Sequence, residues 1–454
     1  MKRILLVNPI YNCGTIPRNI PLSKLATGLN CCGHETSCID FVRPECERHG
    51  LDFFRQEEKA FVCEVAEAAL SVDVVYITTG TGNELKPYPL FPRIKDLAET
   101  IKRKGKAKVI VGGALINLYI RVYNIPQSVI CDSNIDELVV GDEYYETMRL
   151  MAGDCAWPAS VIPNWSIWRN TNYPFYKSVQ FVVGCPFSCD FCFEGKIFNN
   201  HSNSTTIEDF ISSISYDEKI VVEDSVLISN KYFDKIMNGL EAKRVHFAAY
   251  VRISEIVNKP DYIKRMHQSG CQSVIVGIET LDSEMLSEHK KNILYSEIRE
   301  ALDLLRDNEI NVQGCFMLGF PTDSLENMER TIEFAINEKL NGYRWHIYQP
   351  NYSQCPQSLY INNQSETVDV QQLLKVQLNV PDCCLPEIME LQPEISKLDE
   401  HFMFRAKNHV GPEAFDSIGY RNNFSLGDVK RLIDSMFPAE WILNEEVLYK
   451  ELFN

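Results

Sequence analysis

The chain has 454 residues, of which 45% are hydrophobic and 24% are charged, a balance typical of a folded protein of two or three domains rather than a disordered or fibrous one. Its net charge of −17 at pH 7 argues against binding to a nucleic-acid backbone. Residues 1–9 reach a polar turn too soon for a secretory signal, and the longest apolar stretch, residues 109–120, is about half the length of a membrane span. We therefore expect no membrane segment, and we expect the sixteen cysteines to stay reduced in the cytoplasm.

Residues 1–155 alternate short apolar runs with helical patterns, which predicts a parallel sheet with crossover helices. Strands are expected over residues 3–8, 36–41, 72–79, 108–111 and 137–140. This order is typical of a flavodoxin-like or Rossmann-like α/β domain, in which ligands bind beyond the carboxyl ends of the strands. Small and polar residues stand at those ends: Asn8, Thr78, Thr79, Gly80, Gly112, Gly113 and Gly141.

Together with residues 20–26 and 33–36, these strand-end residues resemble the cobalamin-binding domain of one branch of the radical S-adenosylmethionine (SAM) superfamily. The resemblance covers the whole domain and implies cobalamin binding by the seven residues. Residues 141–144 read Gly-Asp-Glu-Tyr, where family members usually carry Gly-Glu-Gly-Glu or a close variant. Residues 11–14 read Tyr-Asn-Cys-Gly, without the Asp-x-His-x-x-Gly motif that places a His under cobalt in some mutases. The resemblance thus implies a cobalamin whose lower cobalt face is not held by that His.

The N-terminal cysteines admit a second interpretation, because methylthiotransferases carry an additional cluster on three N-terminal cysteines. The sequence contexts that accompany such a cluster are missing here, and buried free thiols often serve as small hydrophobic residues. The residues concerned are Cys13, Cys31, Cys32, Cys38, Cys46 and Cys63.

Three cysteines, Cys185, Cys189 and Cys192, follow the next predicted strand with the spacing C-x3-C-x2-C. Three thiolates on one short loop suit a 4Fe–4S cluster with one open iron, whereas structural zinc normally takes four ligands. A zinc knuckle is the alternative, but no nearby His or Cys completes its ligand set. The spacing, with Phe191 before the last cysteine, resembles the cluster-binding loop of the radical SAM superfamily.

Residues 156–350 repeat the alternation of strands and helices, with strands expected over residues 178–183, 220–222, 246–251, 273–278, 311–318 and 343–347. The resemblance implies a partial (β/α)6 barrel, similar to part of a TIM barrel, with its active site at the carboxyl ends of the strands. Charged helical runs at residues 283–291 and 326–338 are expected to be solvated outer faces.

The later strands end in residues that match the SAM-contacting positions of the family. A carboxylate such as Glu223 can accept from the α-amino group of SAM, Arg252 can meet its α-carboxylate, and Glu279 can bind ribose hydroxyls or orient Arg252. Gly319 and Pro321 would shape a turn on which the adenine lies. Surface ion pairs and helix caps are the alternative for each residue taken alone.

From residue 351 to residue 454 the pattern is mostly helical and predicts a cap over the barrel that contacts substrate. A second cluster on Cys355, Cys383 and Cys384 is the alternative, and adjacent cysteines do not fit the usual ligand spacings.

The resemblance implies reductive cleavage of SAM to methionine and a 5′-deoxyadenosyl radical, which abstracts hydrogen from substrate. With cobalamin alongside, it implies methylation of an unactivated carbon, or less often phosphorus, in a small molecule or a peptide. Flavodoxin or ferredoxin would supply electrons. Cobalamin-assisted cyclisation or rearrangement, a radical enzyme whose N-terminal domain binds no cobalamin, and a non-enzymatic cobalamin or redox sensor are the alternatives.

Overall fold

A computed structural model describes most of residues 1–347 and none beyond residue 347. Within that span it leaves out residues 13–19, 44–50, 80–90, 118–119, 121–126, 128–132, 141–149, 152, 154–157, 159–160, 165–166, 168–176, 183, 190, 193–205, 225–226, 229, 319, 321 and 339. The described residues fall into two compact units, the first up to residue 174 and the second over residues 175–349. The domain boundaries at residues 155 and 350 stay a prediction.

The first unit is built on a five-stranded parallel sheet in the order β2-β1-β3-β4-β5, the doubly wound arrangement of flavodoxin-like domains. Its strands are β1 (Arg3–Asn12), β2 (Glu35–Val42), β3 (Val74–Thr78), β4 (Lys108–Gly112) and β5 (Glu137–Leu138). Its helices are α1 (Ile20–Cys31), α2 (Leu51–Ala69), α3 (Phe91–Lys104) and α4 (Ala114–Asn117). All five predicted strands are confirmed.

The core of this unit forms because the strands are apolar on both faces and the helices on one. Leu22, Leu25 and Leu29 recur at helical spacing along α1 and pack against Leu6 of β1 and Tyr76 of β3. This packing seats α1 on the sheet just after the carboxyl end of β1.

The second unit is a six-stranded parallel sheet whose strands lie side by side in chain order. Its strands are β6 (Lys177–Val179), β7 (Lys219–Val222), β8 (His246–Val251), β9 (Cys271–Glu279), β10 (Asn311–Leu318) and β11 (Gly342–Ile347). Its helices are α5 (Ile207–Ser213), α6 (Phe233–Ala242), α7 (Ile253–Asn258), α8 (Pro260–Gln268), α9 (Ser283–Glu288), α10 (Tyr295–Asp307) and α11 (Leu325–Asn337). Six sequential parallel strands with crossover helices confirm the partial barrel.

The first strand of the barrel differs from its prediction. It ends at Val179, not at residue 183, and the backbone N–H of Val182 instead donates to the Asp224 carboxylate across 2.7 Å. The chain therefore leaves the sheet early, held by a side chain that follows β7.

No helix among the described parts of the chain is long and apolar enough to cross a bilayer. Several predicted positions lie outside the described residues: Gly80, Gly141, Gly319, Pro321, Cys13, Cys46, and the segment from residue 351 with Cys355, Cys383 and Cys384.

Candidate active site

The cysteine loop follows β6 at the carboxyl edge of the second sheet. Gly184 precedes it with a φ of +88°, a conformation that favours glycine, and the Cys192 N–H donates to the Cys189 carbonyl across 3.1 Å. Cys189 is buried, Cys185 is half-buried and Cys192 is exposed. The loop thus turns back on itself and presents its thiols at different depths.

Arg252 lies directly against this loop. It follows β8, and its Nη1 donates to the Cys189 sulfur across 3.3 Å while its Nη2 donates to the Lys291 carbonyl across 2.8 Å. The guanidinium carbon is 3.8 Å from the centre of the Phe187 ring. Its Nε is buried and has no hydrogen-bond partner among the described residues. Arg252 is therefore at the site, with both Nη groups committed to the chain itself.

Glu279 ends β9 with a φ of +66°, an uncommon conformation for a residue other than glycine. Its carboxylate forms a buried ion pair with the Lys291 ammonium. A Cβ at Gly277 would come within 2.6 Å of both Glu279 Oε1 and Lys291 Nζ, so any other residue there would displace the end of at least one of these side chains. This carboxylate is thus held in one place at the strand end.

Glu223 and Asp224 follow β7, and their carboxylates accept hydrogen bonds from different donors. Glu223 accepts a hydrogen bond from the Ser178 hydroxyl of β6 and is half-buried. Asp224 is fully buried and holds the Val182 N–H, three residues before Cys185. Glu223 is therefore positioned at the strand end, and Asp224 anchors the segment that leads into the cysteine loop.

Phe191 joins the loop to the end of β10. Its ring lies edge-on to Phe320 at 6.2 Å between centroids, and both pack with Met285. The buried His289 also packs against Phe320, with 4.9 Å between the two ring centroids. Phe320 stands between the predicted positions Gly319 and Pro321, so the β10 end does reach the cysteine loop.

The donor set of the loop fits a cubane cluster in number and type, since it offers three soft sulfur ligands. Among the described residues, no three His, Cys, Asp or Glu side chains form a ready metal-binding group. The structure thus places the three cysteines on one loop without gathering their sulfurs around one point.

In the first unit, the strand-end residues are engaged with one another. The Asn8 amide donates to the Asp40 carboxylate across 3.0 Å, and the Thr79 N–H donates to the Gly112 carbonyl across 2.7 Å. Asn8, Thr78, Thr79, Gly112 and Gly113 are all buried. They shape the carboxyl edge of the sheet, beyond which a ligand of this fold binds.

Two glycines at this edge are required by the packing of the chain itself. A Cβ at Gly113, where φ is +117°, would lie 2.6 Å from Thr79 Oγ1, and one at Gly112 would lie 2.7 Å from the Tyr76 hydroxyl. Both positions therefore need glycine because of close contacts within the chain itself.

Lys24 of α1 is fully buried, and this burial lowers its pKa to about 7. Of the N-terminal cysteines that are described, Cys38 is buried, and Cys31 and Cys63 are exposed with free thiols. Cys32 is disulfide-bonded, so the free thiol expected at most of these positions is absent there.

Comparison with protein families identifies the family that the second unit matches. Residues 179–335 match the family described as the radical SAM superfamily. This segment is a radical SAM domain. The match confirms the superfamily predicted from the cysteine spacing, and with it the 4Fe–4S cluster and SAM as the cofactors that such a domain uses.

The solved structures include one with a similar fold. The radical SAM methyltransferase TsrM from Kitasatospora setae, with tryptophan substrate and a SAM analogue bound, aligns with a TM-score of 0.55 and 15% identity over 76% of this chain and 73% of that chain. At this identity the likeness shows the fold, in which a radical SAM domain accompanies a second α/β unit.

Two curated relatives that match part of this chain carry out different reactions. The anaerobic magnesium-protoporphyrin IX monomethyl ester cyclase of Cereibacter sphaeroides is 24% identical over 42% of this chain, and the bacteriochlorophyllide d C-12(1)-methyltransferase of Chlorobaculum tepidum is 23% identical over 35%. The aligned regions span only 34% and 36% of those two proteins.

Sequence reasoning missed Lys291 and gave Asp224 no role of its own. Lys291 was expected on a solvated outer face, whereas the structure buries it beside Glu279. The one signal that the sequence offered was its position shortly after the short helix that follows β9.

Proposed function

We propose that this protein is a cobalamin-dependent radical SAM enzyme that methylates an unactivated carbon of a small molecule or peptide. The observation that carries the radical part is the convergence at one cysteine loop of residues from two other strand ends and from the turn after α9. Arg252 contacts Cys189, the Lys291 carbonyl holds Arg252, and the Lys291 ammonium holds Glu279.

In this proposal Cys185, Cys189 and Cys192 hold the cluster, which supplies the electron that cleaves SAM. Glu223 accepts from the α-amino group of SAM, and the fixed carboxylate of Glu279 binds its ribose hydroxyls. Phe191 and Phe320 close the apolar side of the site and exclude water from it. Flavodoxin or ferredoxin supplies the electron.

The cobalamin part of the proposal rests on the first unit. Its strand order places the switch point between β1 and β3. Thr78 ends β3, Asn8 lies in the last part of β1, and Thr79, Gly112 and Gly113 follow at the neighbouring strand ends. Cobalamin bound over this edge would supply a methyl group. Gly80 and Gly141 belong to the same proposed site by their position in the sequence.

Cyclisation is the second candidate, because one relative of this chain is a magnesium-protoporphyrin IX monomethyl ester cyclase. The other relative methylates a bacteriochlorophyllide, so a large, flat, conjugated molecule is one substrate class to test. Product mass separates the two reactions, since methylation adds one methylene and cyclisation does not.

The test is anaerobic reconstitution with iron, sulfide and hydroxocobalamin, followed by desalting and an absorption spectrum. The proposal predicts that cluster and cobalamin bands remain together with the protein. Retained cluster absorption with loss of the cobalamin bands would refute cobalamin-dependent methylation and leave a radical enzyme of another reaction type.

A further inference from the structure

The turn after α9 is buried where a solvated face was expected. Lys290 and Asn292 have φ values of +58° and +49°, and Lys291 between them is 5% exposed. The chain turns tightly here, with the Lys291 N–H bonded to the Leu286 carbonyl across 2.8 Å. The turn thus drives one of two consecutive lysine side chains inward and leaves the other, Lys290, exposed.

The inward lysine holds a carboxylate that is itself in a costly conformation. Glu279 has a φ of +66°, and residues other than glycine adopt this sparsely populated conformation only at a cost in free energy. Its side chain and that of Lys291 are 9% and 6% exposed, and a buried ion pair stabilises a fold little because desolvation offsets the attraction. The end of β9 therefore combines a strained backbone at Glu279 with a desolvated ion pair between Glu279 and Lys291.

The same turn reaches the other parts of the site through its backbone. The Lys291 carbonyl accepts from Arg252 Nη2 across 2.8 Å, and the Lys290 carbonyl lies 3.8 Å from the Cys189 sulfur. The Lys291 ammonium is 5.9 Å from the centre of the Phe191 ring in the cysteine loop. One short turn thus contacts the cysteine loop, Arg252 and Glu279.

We propose that Lys291 is a positioning residue for SAM: it fixes the Glu279 carboxylate in the orientation that the cosubstrate requires. The proposal rests on the proposed radical SAM function and deepens it. Gly277 is part of the same arrangement, because a Cβ there would displace the paired ends of Glu279 and Lys291 from the positions they hold. Lys291 acts through Glu279 and is not itself assigned a contact with SAM.

The test measures SAM binding to the cluster-loaded protein in two ways. Equilibrium dialysis uses the oxidised cluster, which does not cleave SAM, and electron paramagnetic resonance (EPR) records the change that SAM causes in the spectrum of the reduced cluster in samples frozen at once after mixing. Lys291→Gln removes the charge, and Lys291→Arg keeps it. Lys235→Gln is the matched control, because it breaks a Lys–Glu pair of the same kind with Glu208 that is exposed on the same unit.

Loss of a charged partner of a buried carboxylate is expected to weaken SAM binding by roughly tenfold or more in Lys291→Gln. Lys291→Arg should recover most of that affinity, and Lys235→Gln should bind as the wild type does. Wild-type affinity in Lys291→Gln, or an equal loss in Lys235→Gln, would overturn the proposal.

Gly277→Ala is the second variant if Lys291→Gln does not fold, since it keeps both charges and displaces the pair. It should weaken SAM binding as well, and unchanged affinity would count against the role of Lys291. Iron and sulfide are counted in the same samples. A wild-type protein that takes up no cluster contradicts the proposed function, whereas cluster uptake with unchanged SAM affinity in the variants overturns the Lys291 proposal alone.

Discussion

Arg252 donates a hydrogen bond to the sulfur of Cys189 across 3.3 Å, from a position 63 residues further along the chain. The contact places a positive charge beside one of the three proposed cluster ligands. Hydrogen bonds and charges near the sulfurs are what a protein uses to adjust the reduction potential of an iron–sulfur cluster.

Arg252→Gln is therefore expected to make the midpoint potential of the cluster more negative, because the variant removes a positive charge that favours the reduced form. A redox titration followed by EPR measures this. Arg244→Gln, which removes an equal charge from an exposed position on the same unit, should leave the potential unchanged. A potential equal to that of the wild type in Arg252→Gln would show that the contact does not persist once the cluster is bound.

Gly113→Ala should destabilise the first unit more than Gly33→Ala does. Both glycines have positive φ, so alanine costs about 1–2 kcal/mol at each. At Gly113 the new Cβ would also lie 2.6 Å from Thr79 Oγ1, whereas nothing lies within 4 Å of one at Gly33. Chemical denaturation measures the loss of stability in each variant. The cobalamin retained per chain measures the effect of each substitution on the proposed ligand edge. Equal cost and equal retention would contradict the placement of Gly113 at the ligand edge.

Burial of Lys24 predicts a pH dependence of stability. The folded protein releases the Lys24 proton above a pKa of about 7, while the unfolded chain keeps it up to the ordinary value of 10.5. The unfolded state therefore binds more protons in this window, and the free energy of unfolding should rise from pH 7 to pH 10.5, by on the order of 5 kcal/mol.

Denaturant titrations at several pH values measure that slope in the full-length protein without cluster. Lys24→Met should flatten it, and Lys104→Met, at an exposed position in α3, should not. The same slope in wild type and Lys24→Met would assign the pH dependence to another group.

Most strands were predictable because parallel strands buried on both faces read as continuous apolar runs. β8 and β10 begin and end where the sequence pattern places them, at His246–Val251 and Asn311–Leu318. β6 could not be bounded in this way, since it ends where the Asp224 carboxylate captures the Val182 N–H, a contact between residues 42 positions apart.

The site was predictable where its residues follow strands directly, because parallel strands bring their carboxyl ends to one edge. Arg252 and Glu279 were found in this way. Lys291 was not, because it belongs to a turn after a helix, and its contacts to Glu279 and Arg252 span 12 and 39 residues with no local pattern. Side-chain burial in such turns depends on backbone dihedrals that composition does not reveal.

The central claim is that Cys185, Cys189 and Cys192 hold a cluster that cleaves SAM reductively. The most direct measurement is the formation of 5′-deoxyadenosine by the reconstituted, dithionite-reduced protein supplied with SAM. We expect the wild type and Cys63→Ala, which changes an exposed thiol of the first unit, to form it, and the triple Ala variant of the three loop cysteines to form none. Formation of 5′-deoxyadenosine by the triple variant, or its absence with the cluster-loaded wild type, would contradict the claim.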